Sequence, residues 1–379
     1  MKQIPLSLYV HMPWCVRKCP YCDFNSHQLK SGAPDGAYID ALLVDLESEL
    51  RHIQGRTLAT VFFGGGTPSL FAPADFKRFL TALAARAPLA KDAEITLEAN
   101  PGTVERGRFE GYAEAGINRV SLGAQSFSAR ALNALGRIHN VEDTHRAVEE
   151  LKRAGLDNFN LDLMFALPEQ TEAEAEQDVK TAIAMSPAHI SYYQLTLEVG
   201  TVFHSRPPPL PDEDRAWRIQ ILGQSLLESA GFEQYEVSAY ARPGARCRHN
   251  VNYWRFGDYV GLGAGAHGKI TGKDGTIVRT LKPKQPGEYL KAQRERQKGE
   301  ETRVAAAELP FEFMLNALRL NEGFAVEQFE ATTGLPIASV AATLDHAQKR
   351  ALLEFAGSTW RPTALGRRFL NDLQASFLA

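Results

Sequence analysis

Three of the four cysteines crowd into one short run, Cys15-Val-Arg-Lys-Cys19-Pro-Tyr-Cys22, spaced C-x₃-C-x₂-C. Three thiolates this close on a loop can hold three corners of an iron–sulfur cubane and leave the fourth corner without a protein ligand. Soft sulfur donors also suit zinc or Cu(I). Two other readings of the same residues stay open: His11 or His27 could complete a Cys₃His zinc site, and Cys19-Pro-Tyr-Cys22 is formally a C-x-x-C redox pair. A second run, Phe62-Phe63-Gly64-Gly65-Gly66-Thr67-Pro68, exposes backbone that a small ligand could approach closely. Taken alone, a glycine triplet is more often a plain turn.

These residues need a scaffold, and the surrounding pattern supplies one. Short apolar runs that read as strands occur at 6–11, 60–63, 94–98, 119–122, 159–164 and 189–195. Between them lie amphipathic helical runs at 40–53, 74–85, 104–115, 141–154 and 172–185. Two of these close on Ala-Gly, at Ala115-Gly116 and Ala154-Gly155, as a helix C-cap does. Strand–helix alternation argues for a parallel sheet with right-handed crossovers. Six units fall short of a closed eightfold barrel, so the expected fold is α/β, a partial (β/α)6 barrel. Functional side chains then belong where strands run into their following loops.

The run Arg206-Pro207-Pro208-Pro209-Leu210-Pro211 reads as a stiff connector, followed by a helix over 212–230 and a strand-like 235–240. Residues 308–379 read as mostly helical with a turn near Gly357, a smaller α-rich, winged-helix-like domain. The expected division is 1–240 for the barrel and 241–379 for the C-terminal domain.

With 42 Lys and Arg against 45 Asp and Glu, the net charge is −3, which excludes a strongly basic nucleic-acid binder. The first fifteen residues lack the apolar core of a signal peptide, and no run approaches the length of a membrane helix. Three clustered cysteines in a chain this long do not read as a disulfide scaffold, so a reducing, cytoplasmic location is expected.

The cysteine loop after the first strand and the glycine run after the second together resemble the radical S-adenosylmethionine (SAM) superfamily. Within it, the chain is similar to the branch that contains oxygen-independent coproporphyrinogen III oxidase and the HemW heme chaperones. The resemblance extends over 9–27, 62–70, 98–103, 118–127, 135–140, 158–168, 192–201, 247–254 and 261–268. It implies a [4Fe-4S] cluster on Cys15, Cys19 and Cys22, whose open iron is chelated by the amino and carboxylate groups of SAM. It also implies that an electron from the reduced cluster cleaves SAM to methionine and a 5′-deoxyadenosyl radical. The SAM contacts it implies are Tyr9 on the first strand, Tyr21 near the adenine, and Gly65, Gly66 and Thr67 near the ammonium. Glu98 falls at the ribose, Arg137 at the carboxylate, Gln125 at the end of the fourth strand and Asp162 on the fifth.

Two departures separate the branches. The oxidases carry a fourth cysteine two residues after the third, where this chain has Phe24, and a longer arm before the cluster. Both differences match the HemW-like proteins, whose implied function is heme binding and delivery to respiratory hemoproteins. Conversion of coproporphyrinogen III to protoporphyrinogen IX is the alternative. The string His249-Asn250-Val251-Asn252-Tyr253-Trp254 resembles the heme-associated motif of those proteins, which makes His249 the candidate axial ligand. Tyr253 and Trp254 could flank a flat macrocycle. A histidine beside Tyr and Trp is as readily a hydrogen-bonded packing residue. Cys247 is a second possible ligand, although a lone cysteine more often behaves as a small hydrophobe; His267 reads as structural or near the SAM pocket. A homodimer is compatible with the sequence but no residue points to one, and membrane contact at a recipient would be peripheral.

Overall fold

The computed structural model describes residues 4–30, 36–103 and 107–378. Six parallel strands form the barrel wall: β1 (Leu6–Met12), β2 (Leu58–Gly65), β3 (Leu89–Ala99), β4 (Arg119–Gln125), β5 (Phe159–Phe165) and β6 (His189–Gln194). Each coincides with an expected strand; β2, β3 and β4 are longer by three residues or more, β1 and β5 by one, and β6 ends one residue earlier.

Side chains alternate as a pleated strand requires. On β4, Arg119, Ser121, Gly123 and Gln125 face inward to a cavity, while Val120 and Leu122 pack outward into the core. The outer helices are α1 (Gly36–Ile53), α2 (Pro73–Ala84), α3 (Arg108–Ala115), α4 (Val141–Arg153), α5 (Glu172–Ala184) and α6 (Glu213–Ser229). The expected start at 104 falls outside the described residues. Helix α4 shows why such runs are legible: Asn140 and Asp143 form a reciprocal capping box, and Lys152 and Arg153 close its last turn.

The sheet does not close. Beyond β6 it ends in two short antiparallel strands, β7 (Glu233–Gln234) and β8 (Ala239–Ala241), so the expected strand at 235–240 is split. On the other side β9 (Asp258–Leu262) lies parallel to β1, and β10 (His267–Thr271), β11 (Ile277–Leu281) and β12 (Glu300–Arg303) extend the sheet to twelve strands. The expected division at residue 240 therefore falls inside one continuous sheet. A separate core is built mainly from residues 309–377. There the run expected as a turn is a strand, Thr359–Pro362, paired with Leu353–Ala356 and Phe324–Ala325 and held by the buried Trp360. The helices around this small sheet fit the winged-helix-like expectation.

A buried ionic cluster ties α1 to the hairpin that follows β9. Lys282 Nζ lies 2.6 Å from Asp45 Oδ1 and 2.7 Å from Glu49 Oε1. Tyr289 Oη and the Gly263 amide both donate to Asp45 Oδ2. Burial works against the Lys282 charge, but the two carboxylates outweigh it and hold its pKa above the ordinary lysine value.

Candidate functional site

A cavity of about 650 Å³ opens at the C-terminal ends of the strands and runs down the barrel interior. Cys15, Cys19 and Cys22 line it, all half-buried and free of disulfides. Thr67 Oγ1 donates to the Cys15 sulfur at 3.4 Å, Arg137 Nη1 approaches the Cys19 sulfur at 3.7 Å, and Ser26 Oγ lies 3.7 Å from the Cys22 sulfur. Among the described residues no three His, Cys, Asp or Glu side chains converge on one point as ligands of a single ion do. A cubane needs no such convergence, since each thiolate binds its own iron. The two histidines of the zinc reading are engaged elsewhere. His11 Nε2 donates to the Asn25 carbonyl at 2.8 Å, and His27 Nε2 lies 3.1 Å from Asn25 Oδ1.

Asn25 fixes this loop to the far side of the sheet. Its amide nitrogen donates to the carbonyls of Ala264 and Lys284. The glycine-rich run 261–268 makes room for that anchor: a Cβ on Gly265 would stand 2.3 Å from Asn25 Nδ2. The glycines after β2 are explained in the same way. A Cβ on Gly66 would meet the Trp14 carbonyl at 2.6 Å, and one on Gly65, whose φ is +113°, would meet the His11 ring. Their smallness lets the glycine loop press against the cysteine loop, while Gly65, Gly66 and Thr67 still line the cavity.

Tyr21, Glu98, Gln125, Arg137 and Asp162 also line the cavity. Glu98 accepts the Gly65 amide at 2.9 Å. Burial, with the nearby Asp162 charge, raises its pKa from 4.5 to about 7 despite that hydrogen bond. Gln125 ends β4 at φ +66°, a backbone state rare for a residue with a side chain, and its Oε1 accepts the Tyr193 hydroxyl at 2.7 Å. Asp162 accepts from Ser121 and Asn160. Arg137 Nη2 donates to the Gly123 carbonyl at 2.9 Å, while its buried Nε has no partner among the described residues.

Tyr9 and His249 are placed differently. Neither lines the cavity. The Tyr9 hydroxyl reaches His11 Nδ1 at 3.0 Å, so Tyr9 supports the cysteine loop through His11 and Asn25. His249 is only 1% exposed, on α7 (Arg248–Trp254), and both its ring nitrogens are engaged. Thr60 Oγ1 gives its proton to Ser7 and lies 2.7 Å from His249 Nδ1, which assigns the ring proton to Nδ1. Nε2 then accepts from the Tyr253 hydroxyl at 2.9 Å. Burial, with Arg119 nearby, lowers its pKa to about 3, so the ring is neutral. Cys247 is buried beneath α7, its pKa raised to about 11 by burial, and neither it nor the exposed His267 lines the cavity.

Sequence reasoning missed several cavity residues, among them Arg119, Asn160, His189, Ser191, Tyr193 and Arg319. The signal available was the two-residue alternation of polar side chains on β4, β5 and β6, which marks a polar barrel interior.

A model of the Radical SAM superfamily matches residues 9–182, and a model of the HemN C-terminal domain matches residues 304–369. A relative from Escherichia coli (strain K12), named "Heme chaperone HemW", is 50% identical over 100% of both chains. The chain belongs to the HemW family. A HemW of Haemophilus influenzae is also 50% identical, over 99% of this chain and 98% of the relative. A Bos taurus protein, "Radical S-adenosyl methionine domain-containing protein 1, mitochondrial", is 38% identical over 70% of this chain and 60% of its own. Among solved structures, coproporphyrinogen III oxidase (HemN) from Escherichia coli, a radical SAM enzyme, matches with a TM-score of 0.82 over 99% of this chain and 90% of that one. At 21% identity that match places the HemW family chain in the same fold.

Proposed function

We propose that the chain binds a [4Fe-4S] cluster through Cys15, Cys19 and Cys22, binds SAM beside it, and carries heme to respiratory hemoproteins in the cytoplasm. One observation carries the reading. Three free thiols open on the same cavity as a glycine loop and a set of carboxylate, amide and guanidinium groups, and Phe24 stands where a fourth thiol would be. The names of the HemW relatives support the heme part.

The residues present suit the two cofactors. Three sulfurs leave one iron open for a chelating ligand, and the unpartnered Arg137 Nε is a donor suited to a carboxylate. Glu98 offers paired acceptor oxygens to vicinal hydroxyls. When bound, the cluster and SAM supply one-electron chemistry. The chain's own part is to hold the cysteine loop through His11 and Asn25 and to shield the site beneath Tyr21 and Phe203.

Heme ligation by His249 is also proposed, and it requires Nε2 to exchange the Tyr253 hydroxyl for iron. The ring is neutral, the form that ligates. Among the described residues no helix is long and apolar enough to cross a membrane, so delivery to a membrane-bound recipient would be by surface contact.

The test is anaerobic purification and cluster reconstitution, heme titration, and an assay for coproporphyrinogen III conversion on the same sample. Heme uptake and transfer without porphyrinogen turnover is the expected result. Turnover despite Phe24 would restore the oxidase reading, and absence of both would overturn this one.

A further inference from the structure

The inner end of the cavity holds donors that nothing in the protein uses. Arg119, at the start of β4, is 2% exposed and points into the barrel. Its guanidinium makes no hydrogen bond and no ion pair with any described group, and its Nε is sealed from solvent without a partner. The wall of the same cavity carries Trp254 and Arg319, stacked with the guanidinium 4.3 Å from the indole centre. Trp254 Nε1 and Arg319 Nε are likewise buried and unpartnered. Buried donors in folded proteins are almost always satisfied, so three open ones on one cavity signal a missing acceptor. A buried unpaired guanidinium is costly unless an anion joins it.

Glu94 and Asp162 favour the Arg119 charge through space, but neither makes a hydrogen bond or close ion pair with it. Glu94 accepts the Arg248 and His249 amides at 3.0 and 2.9 Å, which commits it to the N-terminus of α7. Asp162 is held by Ser121 and Asn160. Glu236 accepts the Ser238 amide and one Arg319 nitrogen, leaving Arg319 Nε free. The planar fork of Arg119 matches a carboxylate, and the Trp254 indole adds a flat apolar surface to the same cavity.

We propose that the inner end of the cavity is a carboxylate-binding subsite anchored by Arg119, with Trp254 and Arg319 as its wall, taking a carboxylate of the tetrapyrrole ligand. The tetrapyrrole part rests on the function proposed above. The subsite stands on the geometry alone. Of the string His249 to Trp254, it gives Trp254, which lines the cavity, a part in holding the ligand.

Hemin and its dimethyl ester, whose carboxylates are masked, are titrated into the full-length protein and its Arg119→Gln and Arg119→Lys variants. Wild type should bind hemin at least about tenfold more tightly than the ester, the size expected of one charge-assisted pair. Arg119→Gln should erase that preference, and Arg119→Lys should keep part of it. Equal binding of acid and ester by wild type overturns the proposal without any variant. If wild type takes neither, the heme reading fails, and sodium propionate alone decides the subsite. A rise in the wild-type melting temperature that Arg119→Gln lacks supports it, and no rise overturns it.

Discussion

Arg137 spans from the loop after β4 to the cysteine loop, one terminal nitrogen 3.7 Å from the Cys19 sulfur and the other donating to the Gly123 carbonyl at 2.9 Å. The barrel wall thus fixes a cation against the middle thiol, and Cys19 sits between two elements rather than on a free loop. Cys19→Ala is expected to remove iron and acid-labile sulfide while leaving the far-ultraviolet circular dichroism unchanged. Full retention of iron and sulfide in that variant would sink the cluster assignment.

Glu98 gives the cluster-free protein a definite pH response. Its folded pKa is raised to about 7 from 4.5, so its contribution to stability is fully present below pH 4.5 and is lost as pH rises through about 7. Asp178, raised to about 6 by burial, acts in the same sense, so the comparison must be between wild type and Glu98→Gln. The two proteins should melt together near pH 5. At pH 8 the variant should melt higher by roughly 2 °C, measured calorimetrically. A variant that melts lower at pH 8 would show that the charged carboxylate is stabilised by a group outside the one amide described.

The His249–Tyr253 hydrogen bond separates ligation from packing. If Nε2 binds iron, Tyr253→Phe frees it, and heme should bind as tightly as in wild type or more tightly, with an unchanged Soret maximum. His249→Ala should shift that maximum and weaken binding. If the histidine only packs α7, neither substitution moves the spectrum, and each lowers the melting temperature.

Lys282 bridges Asp45 and Glu49, all three buried, and His52 Nε2 lies 3.7 Å from the second Glu49 oxygen. Lys282→Met removes the lysine that both buried carboxylates share and should cost about 3–5 kcal/mol in chemical denaturation. The triple variant with Asp45→Asn and Glu49→Gln should recover most of that loss. Failure to recover would place the effect in packing rather than charge.

The barrel wall was legible because strands covered on both faces read as short apolar runs between capped amphipathic helices, as at Asn140 and Thr171. The cysteine loop was legible from its spacing, and the cavity side chains from Gly65 to Asp162 from the resemblance to the radical SAM superfamily. What escaped is set by long-range packing. Helix α7 is a polar seven-residue segment whose first turn is capped by Glu94 on β3, more than 150 residues earlier in the chain. Strand Thr359–Pro362 looks like a turn until Trp360 finds its core. Tyr9 lies on the expected strand, but only the contact with His11 shows that it braces the loop from behind. Arg119 reads as the first residue of a strand, and only the pleat turns it inward.

The parallel pairing of β1 with β9 has a temporal meaning. Leu6 finds its partner, Asp258, only when some 250 further residues exist. At ordinary ribosomal rates that is a delay on the order of tens of seconds, during which one edge of the first strand stays unzipped. The carbonyls of Ala264 and Lys284 that hold Asn25 emerge later still. The thiols are therefore made long before the groups that set their loop in place, so metallation of the nascent chain would meet an unfinished cradle.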